Sequence, residues 1–107
     1  MDKVEFFKLH NEKEPVKEWL LSLDSATRAK VVKRLERIYD NNFGDYKQIA
    51  PNLYELRFFF GKGYRIYYTI RNYTVVLLLN AGDKSDQKKD IEIAKKYLET
   101  IKDDKND

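Results

Sequence analysis

Between Leu53 and Asn80 the chain alternates with a period of two, breaks at two turn signals and resumes. A meander of short strands accommodates that pattern and a helix does not. In the first run Tyr54, Leu56 and Phe58 share one face, while Glu55, Arg57 and Phe59 share the other. In the second, Tyr64, Ile66, Tyr68 and Ile70 oppose Arg65, Tyr67, Thr69 and Arg71. The even-numbered positions are the apolar ones in both runs, so both even sets should pack against helices. Antiparallel pairing keeps the even sets together only if paired residue numbers sum to an even value, which requires an odd-length loop. The stretch from Phe60 to Gly63 can supply one, with glycine for left-handed backbone. Glu55, Arg57, Arg65 and Tyr67 then converge on the opposite face, which is expected to be open.

The remaining elements follow from punctuation. The strands of the meander are Leu53–Phe59, Tyr64–Arg71 and Thr74–Asn80, with a turn at Arg71-Asn72-Tyr73. Val75 to Leu79 is apolar without alternation, which marks either a central strand covered on both faces or one covered by the C-terminal helix or a partner. Upstream, Val4–Leu9 is β-prone, and Pro15 opens a helix to Leu23 with Val16, Trp19, Leu20 and Leu23 as its core stripe. Asp24-Ser25 offers a cap for a second helix reaching about Asn41, where Asn42 to Asp45 stops it. The segment through Pro51-Asn52 reads as a turn. Ser85 or Asp86 is expected to cap a last helix, with Ile91, Ala94, Leu98 and Ile101 facing inward. The predicted architecture is α+β, in the order βααβββα, with an antiparallel sheet packed by helices on one face. A single domain over 1–102 is expected, followed by a charged tail, 103–107, that frays.

Composition excludes several chemistries. The chain has no cysteine, so neither a disulfide nor a thiol nucleophile is available. Its one histidine, His10, stands at the end of the first strand, and no metal-ligand spacing occurs. Gly61-Lys62-Gly63 lacks the spacing of a phosphate loop. No cofactor is expected. The N-terminal residues carry no apolar run suited to a signal peptide, and no segment is long enough to span a bilayer, so a cytoplasmic protein is expected. A net charge of +3 among 36% charged residues permits nucleic acid without requiring it. The second helix carries a basic stripe of Lys30, Lys33, Arg34 and Arg37, readable as a solvated face or as a contact for RNA phosphates.

What remains is a chemistry of Arg, Lys, Tyr, Glu and Asp. RNA cleavage through the substrate's own 2′-hydroxyl asks little more. Arginine forks hold phosphate oxygens and stabilise the phosphorane, while a lysine or tyrosine can join in proton transfer. Glu55 can be read as a base or as the ion-pair partner of Arg57. Lys62 lies in the loop between the two arginine-bearing strands.

The runs LYELRFFFGKGYRIYY and LLLNAGDKSDQKKDIEIAKKY, with the WLLSL helix and the NNFGDYK connection, resemble the phage-derived, HigB-like branch of the RelE/ParE toxin superfamily, the addiction-module killer proteins. The resemblance implies a toxin of a type II toxin–antitoxin module. Such a toxin cleaves mRNA, often on the ribosome, and is neutralised by a helix-turn-helix antitoxin from the same operon. It implies that Arg57 and Arg65 hold the scissile phosphate and that Lys84 is the third basic position. Tyr67 and Tyr68 match the aromatic pair after the arginine, of which parity puts Tyr67 near the site for stacking or hydroxyl donation, and Gln87 and Asp90 match a helix-opening pair with a capping role. Some superfamily members place histidines or a C-terminal tyrosine near the site, and this chain has no histidine there. Relatives of the same fold poison DNA gyrase instead. A non-catalytic gyrase inhibitor and a non-toxic interaction module are the alternative readings.

Overall fold

Proline at a helix start and an aspartate cap set the first two helices. A computed structural model describes residues 1–105 as an α+β domain. Its elements are β1 (Lys3–Phe6), α1 (Pro15–Ser22), α2 (Ser25–Glu36), β2 (Tyr46–Ala50), β3 (Leu53–Arg57), β4 (Arg65–Arg71), β5 (Val75–Gly82) and α3 (Gln87–Lys105). Pro15 occupies the first turn of α1, where its missing N–H costs nothing. Asp24 caps α2 by accepting from the Thr27 N–H at 3.1 Å and the Thr27 hydroxyl at 2.6 Å. The second helix is shorter than its periodicity predicts: it tightens into a 3-10 turn at Arg37–Asp40 and ends at Asn41 in left-handed backbone. Ahead of α3, Asp83 rather than Ser85 or Asp86 is the cap, accepting from the Ser85 N–H at 2.9 Å across a 3-10 turn at Lys84–Asp86.

The five strands lie in the order β1-β5-β4-β3-β2. From β2 to β5 every pairing is antiparallel, but β1 runs parallel to β5, with Lys3 opposite Val75 and Phe6 opposite Leu78. The sheet is therefore mixed, not purely antiparallel. Alternation says which face a side chain takes, and it is silent on the direction of a strand whose partner is distant in sequence. Residues Tyr46–Ala50, read as part of a turn, form the edge strand β2. Tyr46, Lys47 and Gln48 are all exposed and a bulge follows Gln48, so no buried face imprinted a period on the sequence.

Helices cover both faces of the sheet, which corrects the expectation of one. On the first face, Val16 and Leu20 of α1 and Val31 and Leu35 of α2 bury Leu56, Phe58, Ile66, Tyr68, Val76 and Leu78. On the second, Ala94 and Leu98 of α3 bury Leu53, Tyr67, Leu77 and Leu79. Between β1 and β4, β5 contributes to both cores, which is why its sequence does not alternate. Among the described residues no helix is long and apolar enough to cross a membrane. Residues 106–107, the end of the tail expected to fray, lie outside the described residues.

Candidate phosphate-binding cleft

The register of β3 with β4 pairs Arg57 with Arg65, Leu56 with Ile66 and Glu55 with Tyr67. These sums are even, as the alternation requires, and the loop between the Phe58 N–H and the Tyr64 carbonyl (3.0 Å) is the odd-length connection. Leu56, Phe58, Ile66 and Tyr68 face α1 and α2; Glu55, Arg57, Arg65 and Tyr67 take the other side. At the loop end of the two strands that side opens into a cleft of about 430 Å³. It is lined by Arg57, Phe58, Phe59, Gly61, Lys62, Gly63, Arg65 and Lys84, four cations with no carboxylate among them.

Lys84 belongs to the turn after β5, which alternation could not position. Its backbone N–H donates to the Lys62 carbonyl at 3.3 Å and so ties that turn to the β3–β4 loop. Gly63 sits in this junction with φ of 72°, and a Cβ there would lie 3.3 Å from the Lys84 Cβ. A side chain at 63 would thus be strained by conformation and pressed against the lysine.

Both arginines are held from behind. Arg57 donates from Nη2 to Asp45 Oδ1 at 3.0 Å, and its backbone N–H donates to the Asp45 carbonyl. Arg65 donates from Nη1 to the Gly63 carbonyl at 3.0 Å. Its Nε lies 3.5 Å from Glu55 Oε2, an ion pair without hydrogen-bond geometry. The same Glu55 oxygen accepts from Gln87 Nε2 at 2.9 Å. Two neighbouring guanidinium groups are thereby fixed with donor capacity left for a ligand, an arrangement suited to a phosphate.

Residues 18–99, which include the whole cleft, match the family model described as Phage derived protein Gp49-like (DUF891). The chain belongs to the phage-derived Gp49-like family. It is similar to an uncharacterized protein of Haemophilus influenzae, 44% identical over 78 residues that cover 72% of this chain and 79% of that one.

Several residues of the Gp49-like chain stand elsewhere than the sequence suggested. Tyr67 is fully buried beneath α3 and does not reach the cleft. Its hydroxyl has no hydrogen-bond partner, and burial, followed by Glu55 and Asp90, pushes its pKa well above the usual tyrosine value. Tyr68 lies on the opposite face, stacked between Phe43 at 5.6 Å and Tyr54 at 5.3 Å, so it offers no surface to RNA. Parity gave both faces correctly, but not the helix that closes the second. Glu55 is also buried, and its partner is Arg65, its diagonal neighbour on β4, rather than Arg57. It anchors an arginine from behind instead of facing the cleft.

The basic stripe of α2 divides. Lys30, Lys33 and Arg37 are exposed and none lines the cleft, although Lys30 Nζ sits 5.2 Å from the Phe60 ring centroid in the adjoining loop. Arg34 turns inward. It donates to the carbonyls of Phe43, Asp45 (2.7 Å) and Arg57 (2.8 Å), and its guanidinium carbon lies 4.8 Å from the Phe58 ring centroid. Burial lowers its pKa from the ordinary arginine value, with Asp45 opposing. It is a bracket for the Arg57–Asp45 corner, not a phosphate contact. Of the helix-opening pair, Gln87 reaches Glu55, while Asn80 Nδ2 donates to the Asp90 carbonyl at 3.0 Å. Neither side chain caps the helix; Asp83 does so for the preceding turn.

Phe59 and Asp45 were not singled out in the sequence, yet both shape the site. Parity did carry a signal for Phe59: with Phe58 inward, Phe59 must point out, and it is 85% exposed on the wall of the cleft. Among the described residues no three His, Cys, Asp or Glu side chains gather as metal ligands would.

Proposed function

We propose that this Gp49-like protein is the toxin of a type II toxin–antitoxin module and an endoribonuclease acting on mRNA. The observation that carries the reading is the cleft whose polar side chains are Arg57, Arg65, Lys62 and Lys84 alone. The family's association with addiction modules supports it, as does the likeness of its signatures to HigB-like members of the RelE/ParE superfamily.

In this mechanism the substrate supplies its own nucleophile. A 2′-hydroxyl gives its proton to solvent water and attacks the adjacent phosphorus, and the P–O5′ bond breaks to leave a 2′,3′-cyclic phosphate and, once the departing oxygen takes up a proton, a free 5′-hydroxyl. Arg57 and Arg65, braced by Asp45 and Glu55, take the non-bridging oxygens as charge builds on the phosphorane. Losing one such preorganised donor costs about a hundredfold in rate. The Lys84 ammonium, from the turn after β5, protonates the departing 5′ oxygen, and Lys62 meets a flanking phosphate. Lys30, Lys33 and Arg37 extend the cationic surface outside the cleft for further RNA, such as that of a ribosome. The partner that silences the toxin is a helix-turn-helix antitoxin.

The test is expression of Arg57→Ala and Lys84→Ala in a growth assay with RNA blots. Both variants should fold, relieve arrest and preserve mRNA. Full toxicity in both would remove the cleft from the mechanism. Arrest with intact mRNA and damaged DNA would favour gyrase as the target instead.

A further inference from the structure

Three consecutive phenylalanines at the cleft behave differently. Phe58 is buried against the Arg34 guanidinium. Phe60 packs edge-on to Phe58 and Tyr64, each at 5.9 Å, and lies under Lys30. Phe59, between them, is 85% exposed and lines the same cleft as the four cations. Anchoring on both sides holds the loop that presents it, and the Gly61 backbone packs so close to the Tyr64 ring that a Cβ there would come within 2.8 Å of it. Tyr73 is as exposed, at 93%, but it sits on the turn at the opposite end of β4, away from the cleft. A large apolar ring held in water beside a row of cations with no carboxylate is complementary to one class of ligand. That class is a polyanion carrying flat apolar faces.

We infer that Phe59 is a stacking platform for an unpaired nucleobase next to the phosphate held by Arg57 and Arg65, so that the substrate is single-stranded RNA. The inference rests on the proposed RNA reading and makes it narrower. Within a duplex every base face is already stacked, so Phe59 would find no partner there. Any of the four bases has the face required, and the ring therefore selects strandedness, not sequence.

Binding of a 2′-fluoro RNA, which lacks the nucleophile and stays uncut, tests this directly. A short single strand carrying 2-aminopurine and the duplex of the same sequence are titrated with wild type, Phe59→Ala and Phe59→Trp. Wild type should prefer the single strand. Phe59→Ala should weaken single-strand binding about tenfold and leave duplex binding unchanged, while Phe59→Trp restores it and quenches the probe. Thermal melting should be unaltered, since the ring buries little of its own surface. Unchanged single-strand affinity in Phe59→Ala, or an equal loss for single strand and duplex, overturns the inference while leaving the nuclease reading intact. Wild type binding neither strand overturns both.

Discussion

Glu55 and Arg65 form an ion pair at 3.5 Å in which the carboxylate is 1% exposed. The guanidinium reaches the cleft, and the carboxylate behind it is shut away from water by α3 and Gln87. The pair therefore joins the proposed site to the second core.

Removing one partner of such a pair leaves a buried charge. Arg65→Ala should cost about 3 kcal/mol of stability in urea unfolding, much more than Arg57→Ala, whose partner Asp45 is partly exposed. Adding Glu55→Gln to Arg65→Ala should return much of that loss, because the Gln87 hydrogen bond survives. Equal midpoints for Arg65→Ala and Arg57→Ala would show that the pair is not buried in solution.

Arg34 and Lys62 should separate structure from binding. Arg34→Lys keeps the charge but cannot reach three carbonyls with one fork, and should lose about 2 kcal/mol of stability. The dependence of RNA affinity on salt should keep its slope in that variant. Lys62→Ala should instead retain stability and reduce the slope by about one. A reduced slope in Arg34→Lys would mean that the bracket is a phosphate contact after all.

Tyr67→Phe removes a hydroxyl that is buried without a partner. The variant should gain about 1 kcal/mol, read as a higher melting temperature, and cleave RNA as wild type does. A hundredfold loss of cleavage with the fold intact would place that hydroxyl in the chemistry.

Asp24 gives the fold an acid limb. Its pKa is lowered from 3.8 by the hydrogen bond from the Thr27 hydroxyl and then that from the Thr27 backbone N–H. A carboxylate with a lowered folded-state pKa contributes stability that is present above 3.8 and lost as pH falls through the folded value. Asp24→Asn keeps an acceptor but does not titrate. Wild type should therefore melt higher than the variant at pH 7, and the two curves should converge in strong acid.

The faces of β3 and β4 were legible because strand geometry has a period of two and the buried set is strongly apolar. What covers the second face was not, since the stripe of α3 shows only that it packs somewhere. The edge strand β2 leaves no period in the sequence for want of a buried side. Arg34 was hidden among three exposed cations, because a helical stripe reports angular position and not how far a long side chain bends. That Arg57, Arg65 and Lys84 would line one cleft was readable, Lys84 through resemblance and the arginines through parity. Parity set Tyr68 on the helix-covered face, whereas Tyr67 was not separable from the site without α3, which covers it.

The parallel pairing of β1 with β5 also has a temporal side. Lys3 finds its partner only at Val75, and Lys84 is fastened to the Lys62 loop later still. A chain emerging during synthesis thus exposes Arg57 and Arg65 well before the strand and turn that complete their surroundings exist. The walls of the cleft come together only after the turn that carries Lys84 has been made, so a copy still short of it carries the charges without the assembled site.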